Sequence, residues 1–176
     1  DAMRYYLLSA PVMLAENFNF SENGVREVNQ KIVLMLGNIL NFYKLYYNDV
    51  STKSDIISNN ILDKWILSRL ENLLKTATKE MDAYNLPHAT RPIGEFIDEL
   101  STWWLRRSRD RLKSAGSDND ESHSTLHRVL LQLSKVIAPF TPFVAEYIYS
   151  EVGGEKESVH LEDWPTLRRG SGRASR

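Results

Sequence analysis

Apolar residues recur along this chain at the three-and-four spacing of a helix, with no convincing β-hairpin pattern. Val25, Val28, Ile32, Met35, Leu36, Ile39, Tyr43 and Tyr46 form one stripe. It predicts a long helix from a Ser21 N-cap, with Glu22 in the first turn where the dipole favours an acid, to about Tyr47. Leu62, Trp65, Ile66, Leu70, Leu73, Ala77, Met81 and Tyr84 mark a second long helix, closed by the Asn85-Leu86-Pro87 turn. Pro87 suits the first turn of a third, where its missing N–H would be unpaired anyway. Pro92 either shares that first turn or kinks the helix, and Ile93, Phe96, Ile97, Leu100, Trp103 and Trp104 carry the apolar face onward. Leu126, Val129, Leu130, Leu133, Val136, Ile137 and Phe140 give a fourth, ended by Ala138-Pro139.

Shorter pieces surround these four. Asp1 to Ser9 reads as a short helix stopped ahead of Pro11, and Val12 to Phe20 as a connector plugged by Phe18 and Phe20. Asn48–Asn60 is a polar loop, and Ser114–Ser122 (SAGSDNDES) is expected to be a flexible acidic one. Thr141 is placed to cap a short helix with Pro142 at its first position, ending near Gly153-Gly154. Ser158–Pro165 is expected to run extended, packed by Val159, Leu161 and Trp164. The fold class expected is all-α, an antiparallel bundle of about four long helices with short flanking helices. Its organisation is a junction helix and connector over 1–20, the bundle over 21–155, an extended packed segment over 156–165, and a tail over 166–176 that is disordered or foreign to the domain.

Length and composition narrow the class. A chain of 176 residues fits one ordinary domain, and 42% hydrophobic with 26% charged residues is a soluble globular balance. Without cysteine there are no disulfides, thiolate metal sites or cysteine nucleophiles. No signal peptide or membrane span is legible, and a cytoplasmic protein is expected. Net charge is −1, yet the last twelve residues hold Arg168, Arg169, Arg173 and Arg176 and no acid, so residues 1–164 carry −5. Any nucleic-acid contact must therefore come from a local patch rather than bulk charge.

One such patch is legible. The run Trp103-Trp104-Leu105-Arg106-Arg107-Ser108-Arg109-Asp110-Arg111-Leu112-Lys113 sets five cations against one anion at a helix end. At 100° per residue Arg106, Arg109 and Lys113 fall together opposite the apolar face, while Arg107 and Arg111 continue the line of Leu100 and Trp104. Guanidinium forks match phosphate oxygens, but cations also favour helix C-termini and pair with neighbouring acids, and both readings fit the residues. A second candidate is the outer face of the first long helix: Asn38, Asn41, Leu45 and Asn48, with Phe42 at its edge beside Lys44. Asparagine can donate to and accept from a base edge and an exposed ring can stack on a base; a merely solvated face is the plainer alternative. His123 and His127 have the i, i+4 spacing of a helical metal pair, with Glu121 nearby, but no fuller ligand cluster accompanies them, and no metal site is expected. His88 and His160 stand alone and read as structural. There is no glycine-rich phosphate loop, nucleophile elbow or carboxylate pair to support catalysis.

Several strings converge on one family. Asp1-Ala2-Met3-Arg4-Tyr5-Tyr6-Leu7-Leu8 with Pro11, then Ala15-Glu16-Asn17-Phe18-Asn19-Phe20 and Gly24-Val25, resembles the junction after the catalytic core of class I aminoacyl-tRNA synthetases for Ile, Val and Leu, most nearly the isoleucine branch. Leu36-Gly37-Asn38 with Phe42-Tyr43, Leu62-Asp63-Lys64-Trp65-Ile66-Leu67-Ser68-Arg69-Leu70, Leu100-Ser101-Thr102-Trp103-Trp104-Leu105-Arg106-Arg107-Ser108-Arg109, the Pro139-Phe140 and Pro142-Phe143 pair with Glu146, and Ser158-Val159-His160-Leu161 with Trp164-Pro165 follow in that family's order. The resemblance covers about residues 1–165. The chain departs from the pattern at Gly37, where an aromatic is common, at Trp104 for the usual Tyr, and at Ala10 for a common Ser.

The resemblance implies an anticodon-binding region belonging to an enzyme that joins isoleucine to its tRNA with ATP. ATP with magnesium, and zinc, are expected only in that parent; this stretch, without the catalytic, editing and zinc-binding regions, is expected to have no cofactor and no activity alone. It implies an isoleucine-specific tRNA as partner, not DNA or a membrane, and a monomer. Arg106, Arg109 and Lys113 would bind phosphates, Arg107 and Trp104 would fix that helix end, and Phe42, Asn38, Asn41 and Arg91 would lie near the anticodon bases. Lys44 and Arg111 complete the candidate set. Two alternatives stand beside this: the same domain of a valyl-tRNA synthetase, and a non-enzymatic helical protein-interaction module, which would present the same bundle.

Overall fold

The computed structural model describes residues 1–46, 58–114 and 116–166. Its helices are α1 (Ala2–Leu8), α2 (Glu22–Val28), α3 (Met35–Tyr46), α4 (Ile61–Asp82), α5 (Leu86–Asp98), α6 (Arg106–Lys113), α7 (Ser117–Ile137) and α8 (Pro142–Glu151), with 3₁₀ turns at Pro11–Leu14 and Val159–Leu161. No β-strand occurs among the described residues. A π-helical stretch, Asn29–Leu34, joins α2 to α3, and a second, Glu99–Leu105, joins α5 to α6. Two rods thus run unbroken over 22–46 and 86–113. With α4 and α7 they form the four long helices that the hydrophobic periodicity predicts.

The rod 86–113 lies centrally, against α4 on one side and α7 on another, and α3 packs on both that rod and α7. The interior is one continuous apolar cluster: Leu36, Ile39, Leu40 and Tyr43 from α3, Ile66, Leu70 and Leu73 from α4, Ile93 to Trp104 from the central rod, and Leu126 to Ile137 from α7. Ser21 caps α2 as predicted, its hydroxyl accepting from Gly24 N at 3.2 Å. Asn60 does the same for α4, its Oδ1 accepting from Leu62 N at 2.9 Å. Pro87 sits in the first turn of α5, and Pro92 lies inside it.

The structure corrects several expectations. Most of the predicted acidic loop Ser114–Ser122 is helix, because α7 already begins at Ser117. Asp118 and Asp120 suit its first turn, and Asn119 Nδ2 donates to the carbonyls of Arg111 and Leu112, so local bonds settle what composition left open. Thr141 stands at the start of α8, but its hydroxyl donates back to Ile137 O. The orphan N–H groups of Phe143 and Val144 donate instead to the carboxylate of Asp1, at 3.1 and 2.7 Å, which pins the chain's first residue to the far end of the sequence. Tyr84, placed on the core stripe of α4, is 88% exposed and left-handed, because the helix has already ended. Residues 158–165 are not simply extended: a 3₁₀ turn leaves Leu161 exposed while Val159 is buried. Phe20 packs against Tyr6 but remains exposed; Phe18 is the better plug. The helix end near Tyr47, Asn48, most of the following loop and the tail beyond Thr166 lie outside the described residues.

Candidate nucleic-acid interface

The cationic helix end is built on a buried carboxylate. Asp63, fully buried near the start of α4, accepts from Trp104 Nε1 at 3.0 Å and from both terminal nitrogens of Arg111, at 3.0 and 2.8 Å. Ser58 Oγ lies 2.6 Å from the same carboxylate and 2.8 Å from Glu121. Arg111 extends across to α7, its Nε donating to Asp118 at 2.8 Å. Its guanidinium, only 14% exposed, is pushed above its ordinary pKa first by the hydrogen bonds it donates to Asp63. Arg111 is therefore a brace between α4, α6 and α7. Trp104 is wholly internal and can touch no RNA; it fixes the helix end from inside. Both leave the set of candidate RNA-contacting side chains.

The other four cations face outward. Arg106, Arg107, Arg109 and Lys113 are exposed, and among the described residues none pairs with a carboxylate. Three lie over aromatic rings instead. Arg107 Cζ is 3.9 Å from the centre of Trp103, Arg109 Cζ 5.8 Å from Phe42, and Lys113 Nζ 5.7 Å from Tyr46. A ring face attracts a cation without accepting its N–H hydrogens, so each group keeps its charge and its donors for an incoming anion. Phe42 and Tyr46 are themselves 4.8 Å apart, forming a short ladder along α3. Trp103 and Arg107 sit on the opposite flank, beside Trp65 of α4 at 6.5 Å.

The π stretch explains why Arg107 departs from the predicted seam. An extra residue in one turn rotates everything beyond it by about 100°. The buried line therefore runs Leu100, Trp104, Ser108, Leu112 rather than through Arg107. Trp103, expected in the core, is 46% exposed for the same reason.

The remaining candidates are scattered. Asn38 and Asn41 are exposed on α3, as their spacing implies, and Leu45 beside them is 71% exposed. Phe42 is half-buried at the edge of this face. Lys44 turns away to Glu151 of α8 and lies 5.9 Å from the Tyr147 ring, and its ammonium is held above the usual range chiefly by the Glu151 hydrogen bond. Arg91 is exposed but eighteen residues up the central rod from Arg109, roughly 25 Å away along the axis, so it cannot share one contact patch with the helix end. The histidines point inward to separate partners. His123 Nε2 donates to Leu112 O at 3.0 Å, and Tyr43 Oη lies 2.8 Å from His127 Nδ1. Among the described residues no three His, Asp or Glu side chains gather as a metal ion requires, and no helix is long and apolar enough to cross a membrane.

Two features escaped the sequence reading. Asp63 falls in phase with Ile66, Leu70, Leu73 and Ala77; a carboxylate on an apolar seam requires a buried cation or donors, and that signal was available. Trp103 gave no such signal, since only the π stretch turns it outward.

Comparison with known proteins agrees with this architecture. Residues 63–173 match the family model described as the anticodon-binding domain of tRNA ligase. The isoleucine–tRNA ligase of Chlamydia trachomatis serovar L2 is 43% identical over 172 residues, and that of Clostridium novyi 41% identical over 179. Each alignment takes in 94% of this chain, which spans 17% of the length of these relatives. In fold the chain resembles the LeuRS of Agrobacterium radiobacter, solved in a ternary complex with tRNA and LeuAMS: the TM-score is 0.61 at 19% identity, covering 95% of this chain and 19% of that one. With its bundle, its ordered motifs and a family match over more than half its length, the chain belongs to the anticodon-binding domain family of tRNA ligases.

Proposed function

We propose that this chain is the tRNA-binding region of an isoleucine–tRNA ligase and that α6 is its phosphate-contacting edge. The observation that carries this is the group of four outward cations at one helix end, with no carboxylate neutralising them among the described residues, on a body that is otherwise acidic. Arg106, Arg107, Arg109 and Lys113 would hold backbone phosphates and set the register of the bound RNA. The exposed amides of Asn38 and Asn41, with the edge of Phe42, would meet unpaired anticodon bases. Positioning by one group and reading by another suits an anticodon arm, where a helical stem meets a single-stranded loop.

Isoleucine specificity rests on the relatives. Joining isoleucine to its tRNA would belong to the full-length ligase, together with ATP, magnesium and zinc. This region would be inactive alone, and the whole would act in the cytoplasm as a monomer. Its contribution would be to hold the tRNA so that the acceptor end reaches a distant active site, with anticodon contact coupled to that site as a binding free energy. The test is equilibrium binding of the chain to isoleucine tRNA, to the same tRNA with altered anticodon bases, and to valine tRNA. Tighter binding of the first is expected. Equal affinity for all three would overturn the specificity, and equal affinity for duplex DNA would overturn the tRNA reading.

A further inference from the structure

We propose that Trp103 and the Arg107 guanidinium stacked on it form a platform for one unpaired base of the bound RNA. The proposal rests on the tRNA-binding reading and adds a second base contact, on the opposite flank of the central rod from Phe42.

Neighbouring tryptophans have opposite fates here. Trp104 is buried and hydrogen-bonded, whereas the Trp103 indole is 46% exposed. A single exposed aromatic is ordinary; the way this one is held is less so. Trp65 leans on it at 58° from the α4 side, 6.5 Å between centroids, and Arg107 lies 3.9 Å over its ring, one helical turn further along. Two packed neighbours fix the indole, so little freedom remains to be lost when a base arrives. Among the described residues Arg107 has no carboxylate partner, and its far face is not occupied by another ring. Nucleobases stack on guanidinium planes as on aromatic rings, which would extend the pair to base, guanidinium and indole. The guanidinium edge would stay free for a phosphate, as Arg106 next to it and Arg109 and Lys113 across the helix also are.

A base paired within a duplex hides both its faces, so the target is an unpaired nucleotide in a loop or at an end. An acidic peptide would satisfy the charges but leave the platform without a planar partner, so RNA is the occupant favoured here.

The experiment measures binding of isoleucine tRNA, and of a hairpin RNA carrying its anticodon arm, over a range of salt. The proteins are the wild-type chain, Trp103→Ala, Trp103→Phe and Arg107→Lys. Trp103→Ala should weaken binding about tenfold at every salt concentration with an unchanged salt slope, because it removes a stack and no phosphate contact. Trp103→Phe should recover most of the loss. Arg107→Lys, which keeps the charge and loses the plane, should weaken binding without changing the slope. RNA should quench tryptophan fluorescence in the wild type and much less in Trp103→Phe, a readout that also serves if Trp103→Ala fails to fold. Full affinity and full quench in the Trp103 variants would overturn the platform while leaving the tRNA reading intact. A wild-type chain with no salt-dependent RNA binding would remove the tRNA reading and the platform with it. Displacement of RNA by poly-glutamate in a Trp103-dependent manner would overturn it in favour of a protein partner.

Discussion

Asp63 is the residue on which the cationic helix end depends. A buried carboxylate is tolerated only when its oxygens are occupied, and here an indole N–H, a guanidinium fork and a serine hydroxyl occupy them. Asp63→Ala should cost about 3–5 kcal/mol, because it strands the buried Trp104 N–H and leaves the Arg111 guanidinium with only the exposed Asp118 as a partner. Urea denaturation measures this, and a loss below about 1 kcal/mol would show that the network is dispensable. The histidines make a second prediction at this scale. Burial, first among the causes, holds His123 and His127 below their ordinary pKa of 6.5. The unfolded chain then takes up protons before the folded one does, so stability is fully present above about pH 6.5 and is lost as pH falls toward the depressed folded values. The thermal midpoint should drop between about pH 7 and about pH 5.5, and His127→Gln should flatten the drop. A midpoint equally steep in the variant would assign the effect to other groups. Arg106, Arg109 and Lys113 were legible as outward cations from 100° spacing alone. That Trp104 fixes the helix end was legible, but not how, because its partner Asp63 lies forty-one residues away.

At the level of elements, the four long helices follow from apolar periodicity, and the Ser21 cap and the Pro87 start from local chemistry. What periodicity could not supply was the π turn. A stripe such as Leu100, Trp104, Leu112 tolerates a one-residue slip because both registers place apolar groups inward; only coordinates decide whether Arg107 or Ser108 faces the seam. Long-range caps were equally hidden, since nothing near Pro142 announces that Asp1 will hold α8. The C-terminal turn shows how tightly such joins are made. Tyr149 lies across Gly154, where an added Cβ would fall 2.0 Å from its ring. The phenol is fixed in place by Glu162 and by the N–H of Lys156, so the ring has little room to withdraw. Gly154→Ala should therefore destabilise by about 1–3 kcal/mol, read as a fall of several degrees in thermal midpoint. An unchanged midpoint would mean that this turn is not packed as described.

For the whole molecule, charge distribution decides what the bundle can do. A helical bundle of this kind serves many purposes, so the fold alone carries no function. What separates an RNA-binding surface from a solvated one is whether the cations are already spent on the protein's own acids. One of the five in the basic run, Arg111, is spent; among the described residues the other four meet no carboxylate, and aromatic faces hold three of them ready. The salt dependence of tRNA binding tests this most directly, comparing the wild-type chain with Arg106→Ala and Arg109→Ala singly and together. Each lost phosphate contact should flatten the slope of log K against log salt by about one unit, so the double variant should lose about two. A slope the same in all four proteins would contradict the account.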